Sequence, residues 1–199
     1  MLANSFFGRL LRLAGMMKLV KTPLTLAALS AFCLFSASAY ALELKSPDFK
    51  EGDTVPMKHV FNGMGCEGKN VSPALEWSGV PDGTKSLALT VYDPDAPSGS
   101  GWWHWEVVNI PPKTTKLAEG ASAGKMPKGS LQTRNDFGKS EYDGPCPPTG
   151  DKPHHYVFTI YALKAAKLPL DKSAPGAMAG FVIHADLIDK ATLTVTYGR

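Results

Sequence analysis

Cysteine is scarce, with 3 among 199 residues, which excludes a small disulfide-dense scaffold. No His-x-x-x-His pair is present, so the helix-borne zinc motif is excluded. No nucleophile elbow set between a strand and a helix is read, and no metal-ligand pattern and no cofactor motif are found. Internal repeats, charge runs and long low-complexity linkers are missing too. Helical periodicity is sparse, and the longest apolar run covers about a dozen residues, short for a membrane span. Catalysis by a recognisable nucleophile or metal is therefore not expected, and no catalytic residue is assigned.

What is present begins with an export signal. Arg9, Arg12, Lys18 and Lys21 form a basic lead, and Leu24 to Phe35 is apolar. Small residues offer cleavage after Ala39 or after Ala41. The second junction is favoured, because Leu42-Glu43-Leu44-Lys45 reads as a first strand. Met16 or Met17 would each give a conventional signal length. An uncleaved membrane-anchoring helix is the alternative. A lipid anchor on Cys33 is rejected, since bulky Phe32 precedes it. The expected organisation is a signal over residues 1–41 and one domain over 42–199, in the periplasm or secreted. Once the signal is removed, no stable membrane insertion is expected.

The signal also carries the basic excess. Lys and Arg total 21 against 18 Asp and Glu. All four charges of residues 1–41 are basic, so the remainder sits near a net charge of about −1. Nucleic acid loses its electrostatic warrant as a partner. Two cysteines remain, Cys66 and Cys146. An oxidising compartment permits a bridge between them, which would stabilise the domain by roughly 4 kcal/mol in the chain-entropy model. Two buried thiols are the alternative.

Glycine and proline are spread through the domain, as in a loop-rich β protein. Strands are expected over Met57–Phe61, Ala74–Trp77, Ser86–Tyr92, Trp103–Ile110, His155–Leu163 and Thr192–Tyr197, with Asn62-Gly63 and Pro81-Asp82-Gly83 among the turns. The best helical stretch is Ala174–Ala191, with Phe181, Ile183, Leu187 and Ile188 available to one side. Lys113–Asn135 is the least regular stretch, and Glu119–Gly124 reads as a surface excursion. A mainly β sandwich with one or two peripheral helices follows.

Two segments carry the chemistry. In Asp93-Pro94-Asp95-Ala96-Pro97 the prolines fix φ and remove two backbone donors, so both carboxylates sit in a stiff turn at a sheet rim. Such a turn is often only structural, stabilised by its own side chain. His104 lies in Trp102-Trp103-His104-Trp105. Were one ring nitrogen to donate to Asp93 or Asp95, its tautomer would be fixed and the other nitrogen freed for a ligand. The second segment is Gly144-Pro145-Cys146-Pro147-Pro148, a rigid loop with glycine ends. Beyond it, His154, Tyr156 and Phe158 share one strand face, while His155 points the other way. Asp136 could cap a turn or support the pocket.

These motifs resemble the phosphatidylethanolamine-binding protein family. The resemblance rests on Asp93–Pro97, Trp103-His104-Trp105, and Gly144–Pro148 through His154, His155 and Tyr156. Asn70-Val71-Ser72-Pro73 before Trp77, Arg134–Gly138 and Thr196–Arg199 support it in order. It implies a β-sandwich of Greek-key type with a small anion-binding pocket. Asp93, His104, His154 and Tyr156 would form that pocket, Asp95 would stand beside them, and Pro97 and Pro147 would lie in its walls. The implied ligand is a small anion or phospholipid head group, bound without turnover. A protein partner, as in protease inhibition, is the other implied role. Two departures stand out: His155 replaces an arginine common in the family, and Asp151-Lys152-Pro153 lengthens the approach to His154.

Overall fold

The computed structural model describes residues 41–199. The basic lead, the apolar run, Cys33 and the residues up to Tyr40 lie outside them. The described residues form ten strands and one α-helix. A three-stranded sheet runs in the order β1 (Glu43–Lys45), β4 (Leu75–Ser78), β7 (Lys116–Leu117). A five-stranded sheet runs β10 (Leu187–Tyr197), β9 (His154–Leu163), β5 (Ser86–Asp93), β6 (Trp102–Ile110), β8 (Leu131–Gln132). A short hairpin joins β2 (Asn62–Gly63) to β3 (Cys66–Glu67), and every strand pair is antiparallel.

The two larger sheets enclose the main core. Leu44, Leu75, Trp77 and Leu117 from one sheet join Leu89, Val91, Trp105, Phe158, Ile160 and Val195 from the other. Each such side chain contributes about 1.5–3 kcal/mol by leaving water. The far face of the large sheet is covered as well. There Ala88, Val108, Tyr161 and Leu163 pack with Ile183 of helix α1 (Gly176–Ala185). β5 is thus buried on both faces over most of its length, and its unbroken apolar character reflects that position. Helix α1 lies close because Gly176 has no side chain: a Cβ there would stand 2.3 Å from Trp103 Cγ.

β6 does not alternate evenly. Its register against β5 shifts between Tyr92↔Trp103 and Val91↔Trp105, leaving His104 as the extra residue of a bulge. The bulge lets Trp103 meet α1 while Trp105 and Val107 enter the main core. With strict alternation these three side chains would share one face.

Three sequence expectations need correction. Met57–His59 is a turn of 3-10 helix, closed by bonds from His59 N to Pro56 O and from Val60 N to Met57 O, and not a strand. Asn62-Gly63 is not the hairpin turn; Met64 and Gly65 are, with φ of 52° and 80°, as a two-residue turn between twisted strands requires. The helix ends at Ala185, and Leu187 to Ala191 belong to β10, where ladder bonds to β9 and the residues Ile188 and Thr192 favour extension. Phe181 is consequently 74% exposed while Ile183 is buried. The Lys113–Asn135 stretch holds two short strands, β7 and β8.

Glu106 is buried beneath the helix-covered face, and among the described residues neither carboxyl oxygen has a partner. Burial raises its pKa from 4.5 to about 8, and the charge of Asp136 adds to the effect. The folded protein holds this proton where the unfolded chain has lost it. The resulting stabilisation is full below pH 4.5 and is lost as pH rises towards about 8. Glu106→Gln removes the titration. Urea unfolding at about pH 5 and about pH 8.5 should show the variant gaining on the parent by a few kcal/mol at the higher pH; parallel profiles would disprove the assignment.

Candidate functional site

A cavity of about 250 Å³ opens at the rim where β5 ends and β6 and β9 begin. The antiparallel ladders set this location: Asp93 pairs with Trp102, and Tyr92 pairs with Val157. Asp93, His104, His154 and Tyr156 supply buried polar groups to the lining. Ala96, Pro97, Trp102, Phe137, Pro147 and Pro148 supply apolar walls, completed by Met64, Ser98 and Cys146.

Asp93 divides its two oxygens between two tasks. Oδ1 accepts from the backbone N–H of Asp95 at 2.8 Å and of Ala96 at 3.1 Å. Oδ2 lies 2.8 Å from His154 Nδ1. The structural turn and the imidazole-orienting role are therefore both present, one on each oxygen. His104 does not use Asp93 or Asp95. Its Nδ1 is 2.7 Å from the carbonyl of Asp143. Since carboxylate and carbonyl oxygens only accept, both rings carry hydrogen at Nδ1 and keep Nε2 for other partners. Burial lowers the His104 pKa, opposed by the Asp143 carbonyl bond and by the Asp93 charge. The rings of His104 and Tyr156 meet edge to face with centroids 5.2 Å apart. The Tyr156 hydroxyl is buried with no hydrogen-bond partner among the described residues. Burial raises its pKa, the Asp93 charge adds to that, and the hydroxyl also leans on the Asp93 carboxylate, though not at hydrogen-bond geometry, so Tyr156 remains a neutral donor.

Asp95 stands outside the cavity. Its carboxylate accepts from the backbone N–H of His155 at 2.7 Å and pairs with His155 Nδ1 at 2.7 Å. His155 is exposed, facing away from the cavity as its strand position predicts. Asp151 approaches His154, with Oδ2 3.5 Å from Nε2. Asp136 serves structure, accepting from Trp103 N at 2.8 Å, while its neighbour Phe137 lines the wall.

The loops are fixed by contacts that sequence motifs do not spell out. Asp143, fully buried, accepts from Asn70 Nδ2 and Asn135 Nδ2, each at 2.9 Å, and from Lys139 Nζ at 3.2 Å. Its backbone N–H donates to His104 O at 3.0 Å. Gly144 follows because a Cβ there would fall 1.9 Å from His59 O; close approach, not flexibility, selects this glycine. The Cys66–Cys146 disulfide ties the hairpin to the proline loop. Arg199 binds both from the other side, donating to Pro147 O at 2.7 Å, Gly65 O at 2.8 Å and Met64 O at 3.3 Å.

One serine needs reconsidering. Gly120-Ala121-Ser122-Ala123-Gly124 has Gly-x-Ser-x-Gly spacing. It lies in consecutive turns and not between a strand and a helix. Ser122 Oγ donates to Gln132 Oε1 and accepts from Tyr142 N, both at 2.7 Å, and no histidine is among its partners. Ser98, in the cavity lining, donates to Gly101 O at 2.5 Å. Neither hydroxyl is paired with a general base.

A family model described as phosphatidylethanolamine-binding protein matches residues 45–198. UPF0098 protein YbcL of Escherichia coli (strain K12) is 53% identical over 170 residues, covering 84% of this chain and 93% of that protein. The crystal structure of E. coli YbcL, described as a new member of the mammalian PEBP family, aligns with a TM-score of 0.79 and 51% identity, over 80% of this chain and 99% of that one. LppC of Mycobacterium tuberculosis (strain ATCC 25618 / H37Rv), which carries a lipoprotein name, is 38% identical over 160 residues, 80% of this chain and 74% of that protein.

The orphaned Tyr156 hydroxyl gives a test of what the site is built for. Replacing it with hydrogen removes a desolvated donor and no structural bond, so Tyr156→Phe should unfold at equal or higher urea concentration, gaining up to about 1 kcal/mol. A loss of more than about 1 kcal/mol would mean that the hydroxyl holds the fold together.

Proposed function

Because the chain belongs to the phosphatidylethanolamine-binding protein family, we propose that it is a non-enzymatic binding protein whose cavity takes a small anion, a phosphate or phosphate-bearing head group. Membership itself supports the binding class. The ligand reading rests most on one observation: a buried, unpartnered Tyr156 hydroxyl beside two imidazoles whose Nδ1 atoms are already engaged. Buried donors without partners cost stability unless something else uses them. Apolar walls strengthen any charge-assisted bond formed there. A volume of about 250 Å³ suits a head group and not acyl chains. Cys146 is bridged and so is not a free nucleophile in the cavity wall.

Proton bookkeeping follows from the tautomers. With hydrogen at Nδ1, a neutral ring offers only a lone pair at Nε2, and it becomes a donor there only as imidazolium. An anion must therefore either bring its own proton, as hydrogen phosphate does, or draw one onto a ring. Burial holds the His104 pKa below its usual 6.5 in the free protein, and a bound anion opposes that shift. Binding thus takes up protons and tightens as pH falls. Titration calorimetry with phosphoethanolamine and with phosphate at about pH 8 and about pH 6, in buffers of different ionisation enthalpy, should show tighter binding and proton uptake at the lower pH. Tyr156→Phe and His154→Ala should each weaken it at least about tenfold. Binding that ignores pH and both substitutions would refute the reading.

Export completes the proposal. Supports are the basic lead and apolar run over residues 1–41, a disulfide suited to an oxidising compartment, and the lipoprotein name of the LppC relative. Among the described residues no helix is long and apolar enough to cross a membrane. Intact-mass analysis of a periplasmic extract should find a chain beginning at Leu42 with its two cysteines bridged. A full-length or lipidated product would overturn the cleavage assignment.

A further inference from the structure

A second polar cluster lies among residues that do not line the cavity. His59 Nδ1 is 2.7 Å from the carbonyl of Val71. A carbonyl only accepts, so Nδ1 carries the hydrogen and Nε2 presents its lone pair. His59 is fully buried, and Nε2 has no partner among the described residues. It faces Asp48 Oδ2 at 3.6 Å. That separation is too long for a hydrogen bond, so a proton on Nε2 would meet Asp48 only as an ion pair. Glu119 completes the group, and ligand atoms of Asp48, His59 and Glu119 all lie within 4.8 Å of one another.

Among the described residues, the only ammonium paired with these carboxylates is that of Lys58, which reaches Asp48 Oδ1 at 2.6 Å and also pairs with Glu119. It leaves the imidazole unsatisfied. Its side chain is 39% exposed, so it can swing into solvent at small cost. Asp48 and His59 are held in place: Asp48 Oδ2 accepts from Ala74 N at 2.8 Å, and the ring meets Phe49 edge to face. Glu119 is exposed and can close inward. A tetrahedral ion with bonds of about 2.0–2.1 Å needs ligand atoms about 3.3 Å apart, which rotation of Glu119 supplies.

We propose that Asp48, His59 and Glu119 form a binding site for a divalent transition-metal ion of the Zn²⁺ type, which displaces the Lys58 ammonium. The chemistry of the donors selects the class. An imidazole nitrogen with two carboxylates suits Zn²⁺ and its neighbours, whereas Mg²⁺ and Ca²⁺ favour oxygen throughout. A metal-bound histidine usually donates its other N–H to a carbonyl or carboxylate, as His59 does to Val71. The ion would join three segments distant in sequence. One of them packs beneath the start of the proline loop, since His59 O accepts from Tyr142 Oη at 2.8 Å and packs on Gly144. Occupancy therefore stabilises the fold as well as the site.

The test is calorimetric titration of the disulfide-intact domain with ZnCl₂, read together with the thermal midpoint. One Zn²⁺ per chain should bind and raise the midpoint, with MgCl₂ having no comparable effect. Lys58→Met, which removes the competitor, should tighten binding at least about tenfold, and Glu119→Gln should weaken it at least about tenfold. Both positions are exposed or partly so, and neither substitution opens a cavity. His154→Ala should leave zinc uptake unchanged. Failure of both the parent and Lys58→Met to bind zinc would overturn the proposal. So would uptake insensitive to Glu119→Gln, uptake abolished by His154→Ala, or equal response to magnesium. None of these outcomes depends on whether the cavity takes an anion.

Discussion

Strand β5 is hydrogen-bonded along both edges, to β6 on one side and β9 on the other, and both partners run antiparallel to it. The C-terminal end of β5 must then meet the N-terminal starts of β6 and β9 at one rim. Asp93, His104, His154 and Tyr156 lie within three residues of those ends. Convergence of groups more than 60 positions apart is thus a consequence of ladder geometry, secured by apolar burial on both faces of the central strand. Sliding either ladder by one residue would turn the polar set to the opposite face.

Rim position alone does not aim the side chains. Asp93 holds His154 through one oxygen because the other is occupied by two backbone N–H groups, which stops the carboxylate from rotating. His104 is aimed twice, by the bulge that offsets it from the β6 alternation and by the Asp143 carbonyl. That carbonyl is fixed in turn because the Asp143 side chain sits among Asn70, Asn135 and Lys139. The disulfide and Arg199 bind the proline loop to the Met64-Gly65 turn from opposite sides. Walls held this way lose little conformational freedom when a ligand arrives, which is how preorganisation adds affinity.

The residue types of the site were legible because proline-stiffened turns and strand parity leave local marks. Asp93-Pro94-Asp95 announced a rigid acidic turn, and parity alone separated His154 and Tyr156 from His155. The partner of His104 was not legible. Asp143 acts through its backbone carbonyl, which any residue possesses, and its buried side chain is satisfied by asparagines 73 and 8 positions away. The place of Asp95 outside the cavity was not legible either, because a carboxylate two residues from Asp93 carries no sign of which strand face will claim it; His155 does, across the ladder. The bulge at His104 left no glycine or proline to mark it. The Met64-Gly65 turn was masked by Asn62-Gly63, a stronger turn signal that the ladder absorbed into β2. The end of helix α1 was not legible, because Leu187 and Ile188 suit either a helix or a strand and only pairing with β9 decides.

Among the described residues, His59, Trp102, Glu106, Ser130, Thr133 and Tyr156 have buried side-chain polar atoms without a hydrogen-bond partner, and the surroundings of the titratable three, Glu106, Tyr156 and His59, distinguish them. Glu106 lies under apolar cover on the helix face, so retaining its proton is the cheapest outcome. The Tyr156 hydroxyl opens on a cavity with two imidazoles, and burial together with the Asp93 charge favours its protonated, donating form. His59 Nε2 faces the Asp48 carboxylate with its lone pair at 3.6 Å, an arrangement that a shared cation would satisfy. The same deficit, a buried polar atom without a partner, is thus met by a proton at Glu106 and, under the readings proposed above, by an anion at Tyr156 and a metal ion at His59. Each such deficit costs stability until it is met, and a core packed on both sides of β5 and bridged between Cys66 and Cys146 offsets that cost.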